Sequence, residues 1–224
     1  MSSDAPVRLP AAIIFDFDGT LVDSNGPKEA AFYELARKQN PKGDDRSGVE
    51  AMRAVMTEFG KESRYVILQE WLEQCEWSFA DQAAIEQEVR RLAAAYDELA
   101  VAAAVSCAPM PGALALLETW CGRLPLFVSS VTPHDSLERI LRQREWTHYF
   151  QRWSGYPANK SETVRQISSE LGVPVQQLLV VGDGPSDERS ATETGADFWL
   201  AGSPEALLQL EQRLNGARKE NKSR

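Results

Sequence analysis

The sequence predicts an α/β fold, a Rossmann-like parallel sheet with helices on both faces, interrupted by an inserted α-helical cap. Three observations carry this reading. Short apolar runs rich in β-branched and aromatic residues recur at Ala11–Phe17, Leu124–Ser130, Leu178–Val181 and Phe198–Leu200, each separated from the next by a helical pattern. Strand alternating with helix gives a parallel sheet covered on both sides. The segment from Ser24 to Cys107, between the first two runs, has no proline after Pro41 and reads helical for most of its length. It is too long for a crossover helix and is therefore a separate lobe. Finally, the first and third of these runs lead into aspartates, as expected where strands end in a ligand-binding crevice.

In order along the chain, AAIIFDF begins after Pro10 and stops at the turn signal Asp18-Gly19. Within the insertion, Ile67, Leu68, Trp71, Leu72 and Cys75 form one helical stripe; Ile85, Val89, Leu92, Tyr96, Leu99 and Ala103 form a second. The insertion joins the rest through Asp23–Lys28 and the proline-flanked Ala108–Gly112. The α/β core is thus expected over 8–23 and 109–216, and the helical insertion over 24–108. After the second strand, helices are expected at Pro133–Arg144, Lys160–Leu171, Ser186–Thr194 and Pro204–Leu214, punctuated by residues such as Gly172 and Pro174. Residues 217–224 are polar, mostly charged and without hydrophobic period, so this tail is expected to be disordered.

Composition narrows the partners. The 224 residues carry 24 basic and 33 acidic side chains, a net charge of −9, and 43% are hydrophobic. A chain of this length buries roughly 70% of its unfolded surface, enough for a full core without metal or disulfide staples. An acidic surface repels nucleic acid and anionic membrane, so a bound anion must be met by a local group of positive charges. Cys75, Cys107 and Cys121 form no CxxC pair and suit a reducing compartment. The first ten residues hold one arginine and no apolar core, and no run approaches ~18 apolar residues, so a cytoplasmic, untargeted protein is expected. Monomer and dimer both remain open; Trp71 or Trp77, if exposed, would mark an interface.

The residues that carry chemistry sit at the strand ends. Residues two apart on a strand face one side, so Asp16 and Asp18 are expected to point into one crevice, where bare carboxylates beside Ile13, Ile14 and Phe15 demand compensation. Asp183 and Asp187 follow the buried run LLVV. Four converging carboxylates call for a hard cation with oxygen ligands, magnesium being the natural choice. Ser129 and Ser130 end another strand just before a helix, where a hydroxyl beside free N–H groups makes an anion site. Lys160 opens a helix, against the helix dipole, and its ammonium can neutralise carboxylates and grip phosphate. Each has a plainer reading: strand cap, Asp-Gly turn, helix cap, solvated lysine.

Taken together and in order, Asp-Phe-Asp-Gly-Thr at 16–20, a serine, a lysine and Gly-Asp-x-x-x-Asp at 182–187 resemble the haloacid dehalogenase superfamily. Leu21-Val22-Asp23-Ser24 and Pro111-Gly112 extend the resemblance, and the helical insertion lies where that superfamily places its type 1 caps. The resemblance implies Asp16 as nucleophile forming an aspartyl phosphate, and Asp18 as acid and then base. It implies magnesium on Asp16, the backbone carbonyl of Asp18, and Asp183, with Asp187 orienting that shell. Phosphoryl oxygens would be held by Lys160, Gly19, Val131 and a serine, where the likeness of Ser130-Val131-Thr132-Pro133 to a Ser-Gly-Thr-Pro subgroup favours Ser130 and leaves Ser129 as the alternative. Gly60-Lys61-Glu62-Ser63-Arg64 resembles the cap loop Gly-x-x-Ser-Arg, making Gly60, Ser63 and Arg64 candidates for substrate specificity.

Because Asp18 is present, the resemblance implies a phosphatase acting on a small phosphate monoester, a sugar phosphate or a phosphorylated short acid. A phosphomutase of the β-phosphoglucomutase kind shares every core motif and is the alternative. A receiver-like phosphoryl switch or a non-catalytic binder fits less well. The P-loop and the Gly-rich dinucleotide fingerprint are both absent.

Overall fold

The computed structural model describes residues 9–40, 45–60 and 63–222. The expected start of the core at residue 8, Lys61 and Glu62 of the cap-loop motif, and 223–224 of the tail lie outside these. The chain forms two compact units, one from Met1–Ser24 with Cys107–Arg224 and the other from Asn25–Ser106.

The first unit is built on five parallel strands: β1 (Ala12–Phe15), β2 (Leu126–Pro133), β3 (Arg152–Tyr156), β4 (Leu178–Gly182) and β5 (Asp197–Leu200). Their order is β3-β2-β1-β4-β5, so β1 is central, and its four residues AIIF are all buried, as a strand covered on both faces requires. Ala12, Ile14, Phe127, Leu178 and Val180 pack with Val164 and Ile167 of α7 (Lys160–Leu171) and Ala191 of α8 (Pro185–Thr194). The alternate residues Ile13, Phe15, Leu126 and Val128 are equally buried.

Strand β3 was not expected. Its sequence, RWSGY, offers neither an apolar run nor clean alternation, because it lies at the sheet edge and is only partly covered. Gly155 is its one buried position; a Cβ there would stand 2.5 Å from Thr132 O, so glycine permits close approach of the end of β2. Strand β1 is shorter than expected and ends at Phe15. The chain then turns tightly, with Leu21 N–H and Val22 N–H both donating to Phe17 O.

Helix α5 (Ala113–Trp120) precedes β2, and α6 (His134–Gln143), α7 and α8 follow the expected spans closely. Helix α9 (Ala206–Lys222) does not: it runs through 217–222, where disorder was expected. Leu207, Leu210, Leu214 and Ala217 are buried at spacings of three and four, and the arginine, lysines and glutamate beyond are good helix formers.

The second unit consists of α1 (Asn25–Gln39), α2 (Asp45–Phe59), α3 (Arg64–Gln74) and α4 (Gln82–Ser106). Phe32, Leu35, Met52, Leu68, Trp71, Leu92 and Tyr96 lie in its core, with the Phe32 and Tyr96 rings stacked at 3.9 Å. Trp71 is fully buried and its indole N–H donates to Gly48 O at 2.9 Å, which removes it as an exposed interface marker. Within the first unit the two linkers that lead to this insertion lie side by side. Asp23 N–H donates to Ala108 O (2.9 Å), Met110 N–H to Leu21 O (3.0 Å), and Val22 bridges Pro109 in antiparallel fashion.

Candidate active site

Asp16 is the first residue beyond the β1 ladder, its N–H still bound to Val181 O at 2.8 Å, and only 6% of it is exposed. Lys160 Nζ donates to Asp16 Oδ1 at 2.7 Å and to Asp187 Oδ1 at 2.6 Å. Lys160 tolerates the first position of α7 because Asn159 caps that helix, accepting from the N–H groups of Ser161 (2.9 Å) and Glu162 (3.3 Å). Asp187 occupies the first turn of α8, whose N-cap, Gly184, has no side chain. Its Oδ2 accepts from Gly184 N–H at 3.3 Å, so one carboxylate both caps α8 and faces Lys160. A Cβ at Gly182 would fall 2.1 Å from Asp187 Cγ, so the end of β4 must be glycine for Asp187 to reach this position.

One ammonium shared between two buried carboxylates cannot neutralise both. Burial raises the Asp16 pKa most; Lys160 opposes it, and the neighbouring Asp187 and Asp18 add to the rise, leaving the group at about 7. Lys160 is held above its usual range, since attraction to Asp16 and Asp187 outweighs its own desolvation. Asp183 adds a further carboxylate: one oxygen from each of Asp16, Asp183 and Asp187 lies within 4.8 Å of the others. An all-oxygen set with excess negative charge fits a hard divalent cation.

Asp18 lies near enough to Asp16 to add to the rise in its pKa, but the strand period does not place it. Because β1 stops at Phe15, the period of two no longer applies, and the Asp18 carboxylate stands outside the Asp16–Asp183–Asp187 group. Its oxygens accept from two hydroxyls, Ser24 Oγ on Oδ1 at 2.5 Å and Thr132 Oγ1 on Oδ2 at 2.6 Å. Neither hydroxyl was singled out from sequence. Both sit in quoted motifs, Leu-Val-Asp-Ser and Ser-Val-Thr-Pro, but a hydroxyl near a strand end or helix start reads first as a cap.

The remaining candidates divide. By register Ser129 neighbours Asp16 on the adjacent strand, and it lines a small cavity with Asp16, Lys160 and Asp187. Ser130 is buried, and its Oγ accepts from Thr132 N–H at 3.1 Å, leaving the hydroxyl proton to donate elsewhere. Val131 is 66% exposed at the end of β2. Gly19 has φ +74°, and its N–H is taken by Val22 O at 2.8 Å, so it makes the turn after Asp18. In the helical unit, Ser63 caps α3 and Gly60 follows α2 with its N–H on Met56 O. Arg64 pairs with Asp97 at 2.8 Å and lies 5.3 Å over the Tyr96 ring.

Residues 10–195 match the family of haloacid dehalogenase-like hydrolases. A phosphoglycolate phosphatase from Pseudomonas fluorescens is 28% identical over 196 residues, covering 84% of this chain and 68% of that protein. Among solved structures, a protein described on prediction as a phosphoglycolate phosphatase from Haemophilus somnus aligns with TM-score 0.64 at 20% identity, over 86% of this chain and 85% of its own. One described provisionally as a β-phosphoglucomutase from Thermotoga maritima aligns with TM-score 0.66 at 18% identity, over 90% and 98%. These structural likenesses concern the fold. Among the described residues no helix is long and apolar enough to cross a membrane.

Proposed function

The chain belongs to the haloacid dehalogenase-like hydrolases, and from that premise we propose that it is a phosphatase hydrolysing a small phosphate monoester, a short phosphorylated acid of the phosphoglycolate kind, through an aspartyl phosphate on Asp16. The observation that supports this reading is that Asp16 is bonded to Lys160 within a metal-fitting group of carboxylates, while Asp18, two residues on, accepts from the Ser24 and Thr132 hydroxyls.

In the first step a carboxylate oxygen of Asp16 bonds to phosphorus as the bond to the leaving oxygen breaks, and Asp18 gives that oxygen its proton. In the second, water attacks the same phosphorus, its proton passes to Asp18, and the Asp16–phosphorus bond breaks. Lys160 and a serine of the β2 end, Ser129 or Ser130, donate to the phosphoryl oxygens; Gly19 and Val131 place backbone beside them. Asp16, Asp183 and the Asp18 carbonyl would hold magnesium, with Asp187 steadying that group through Lys160. When bound, the cation supplies charge stabilisation to the phosphoryl group. In our reading Gly60, Ser63 and Arg64 of the cap select the leaving group.

The test is phosphate release from a panel of acid, sugar and nucleotide monophosphates with and without magnesium. Release is expected to need magnesium, to favour short acids, and to vanish in Asp16→Asn, while Arg64→Ala shifts preference within the panel. Release that survives Asp16→Asn overturns the mechanism; isomerised sugar phosphate without release would assign a phosphomutase instead.

A further inference from the structure

We propose that Thr132 is a positioning residue for proton delivery: its hydroxyl, through the bond to Asp18 Oδ2, fixes the carboxyl that protonates the leaving group. This rests on the reading of Asp18 as acid and base. Three observations support it. Thr132 is 6% exposed, and its 2.6 Å bond to Asp18 joins residues 114 apart in sequence, so the contact is made by the fold and not by a local turn. The Thr132 N–H is itself fixed on Ser130 Oγ at 3.1 Å, which ties the phosphate-side serine, the threonine and the acid into one chain of hydrogen bonds. The backbone is held from the other side by Gly155, where any Cβ would strike Thr132 O at 2.5 Å and His134 Cα at 2.6 Å. A side chain supported by backbone on two sides holds its rotamer, and a carboxyl bonded to it holds its orientation.

The proton matters in proportion to how poor the leaving group is. An alkoxide must be protonated as the phosphorus–oxygen bond breaks, whereas 2,4-dinitrophenolate leaves unaided. Misplacing Asp18 therefore slows alkyl monoesters selectively, an effect that a general loss of structure does not produce.

The experiment compares kcat/KM, which reports phosphoryl transfer to Asp16, for 2-phosphoglycolate and 2,4-dinitrophenyl phosphate in wild type, Thr132→Val, Thr132→Ser and Asp18→Asn. Thr132→Val is expected to lose roughly 10- to 100-fold on 2-phosphoglycolate, part of the 10²–10⁴ that a positioned acid supplies, and at least tenfold less than that on the dinitrophenyl ester. Thr132→Ser, which keeps the hydroxyl, is expected to recover most of the loss. Equal losses on both substrates in Thr132→Val, or no recovery with Thr132→Ser, overturn the proposal. If Thr132→Val fails to fold, Thr132→Ala carries the same comparison. Asp18→Asn separates the two readings: if it shows no leaving-group dependence, Asp18 is not the acid; if it does and Thr132→Val does not, only the role of Thr132 falls.

Discussion

Asp16 and Asp18 stand two residues apart and feel each other's charge, yet Asp16 is bonded to an ammonium and Asp18 to hydroxyls. Asp16 is buried among charges, an ammonium and two further carboxylates; Asp18 is half-buried and accepts from two neutral hydroxyls. The contrast teaches that role follows surroundings. A carboxylate fixed by Lys160 within a cation-fitting cluster is held in place and ionises fully once a cation offsets its neighbours, as the proposed nucleophile must. One held by hydroxyls can take up and give back a proton, because a hydroxyl serves either as donor or as acceptor.

Removing the ammonium from the charged side breaks the contrast most severely. Lys160→Met is expected to lower phosphate release about 10²- to 10³-fold, and, by stranding two buried carboxylates, to destabilise the metal-free protein by roughly 3 kcal/mol. Thermal unfolding with and without magnesium checks this; an unchanged melting temperature without metal would show that water reaches these carboxylates.

A smaller effect sharpens the charged side. With its pKa raised from 3.8 to about 7, Asp16 holds its proton more tightly folded than unfolded. Below pH 4 both states are protonated and nothing is lost. As pH rises from 4 to 7 the unfolded state ionises first, so the metal-free protein loses stability, and above 7 the full cost, a few kcal/mol, is present. Asp16→Asn should therefore melt above wild type by about 5 °C or more at pH 8 without metal, an advantage that shrinks towards pH 5. An advantage that grew as pH fell would reverse the sign of this argument.

The least effect belongs to the neutral side. Ser24→Ala removes one of the two hydroxyls on Asp18 and is expected to cost about 1 kcal/mol, roughly 2–4 °C in melting temperature, while leaving stabilisation by magnesium intact. A lost magnesium response would place Ser24 within the charged cluster.

Much of this arrangement was legible in the chain itself. The buried strands AIIF and LLVVG announced themselves by composition, and helix α7 by its terminal glycine, because such signals are local. Asp16, Asp183 and Asp187 were recognisable because carboxylates at the ends of apolar strands need an explanation, and Lys160 because it opens a helix against the dipole. Strand β3 was hidden because an edge strand owes its form to its neighbour, and the length of α9 because the helical stripe fades before its last turns. Ser24 and Thr132 were hidden because their partner is set by a tight turn after Phe15, which ended the alternation on which the reading of Asp18 relied. Arg64 looked like a free cationic probe; its salt bridge to Asp97 comes from 33 residues away and leaves no trace in local pattern.

The paired linkers have a consequence for how such an enzyme changes over time. Since Asp23 and Ala108 are hydrogen-bonded to each other, the chain leaves and re-enters the sheet-bearing unit at a single point that is closed whatever lies between. The 82 residues of the insertion are an attachment, not a span, and their length and sequence can drift or be exchanged without stretching the strands that carry Asp16 and Asp183. On the proposed reading, in which the insertion selects the substrate, chemistry and selectivity are inherited as separate parts.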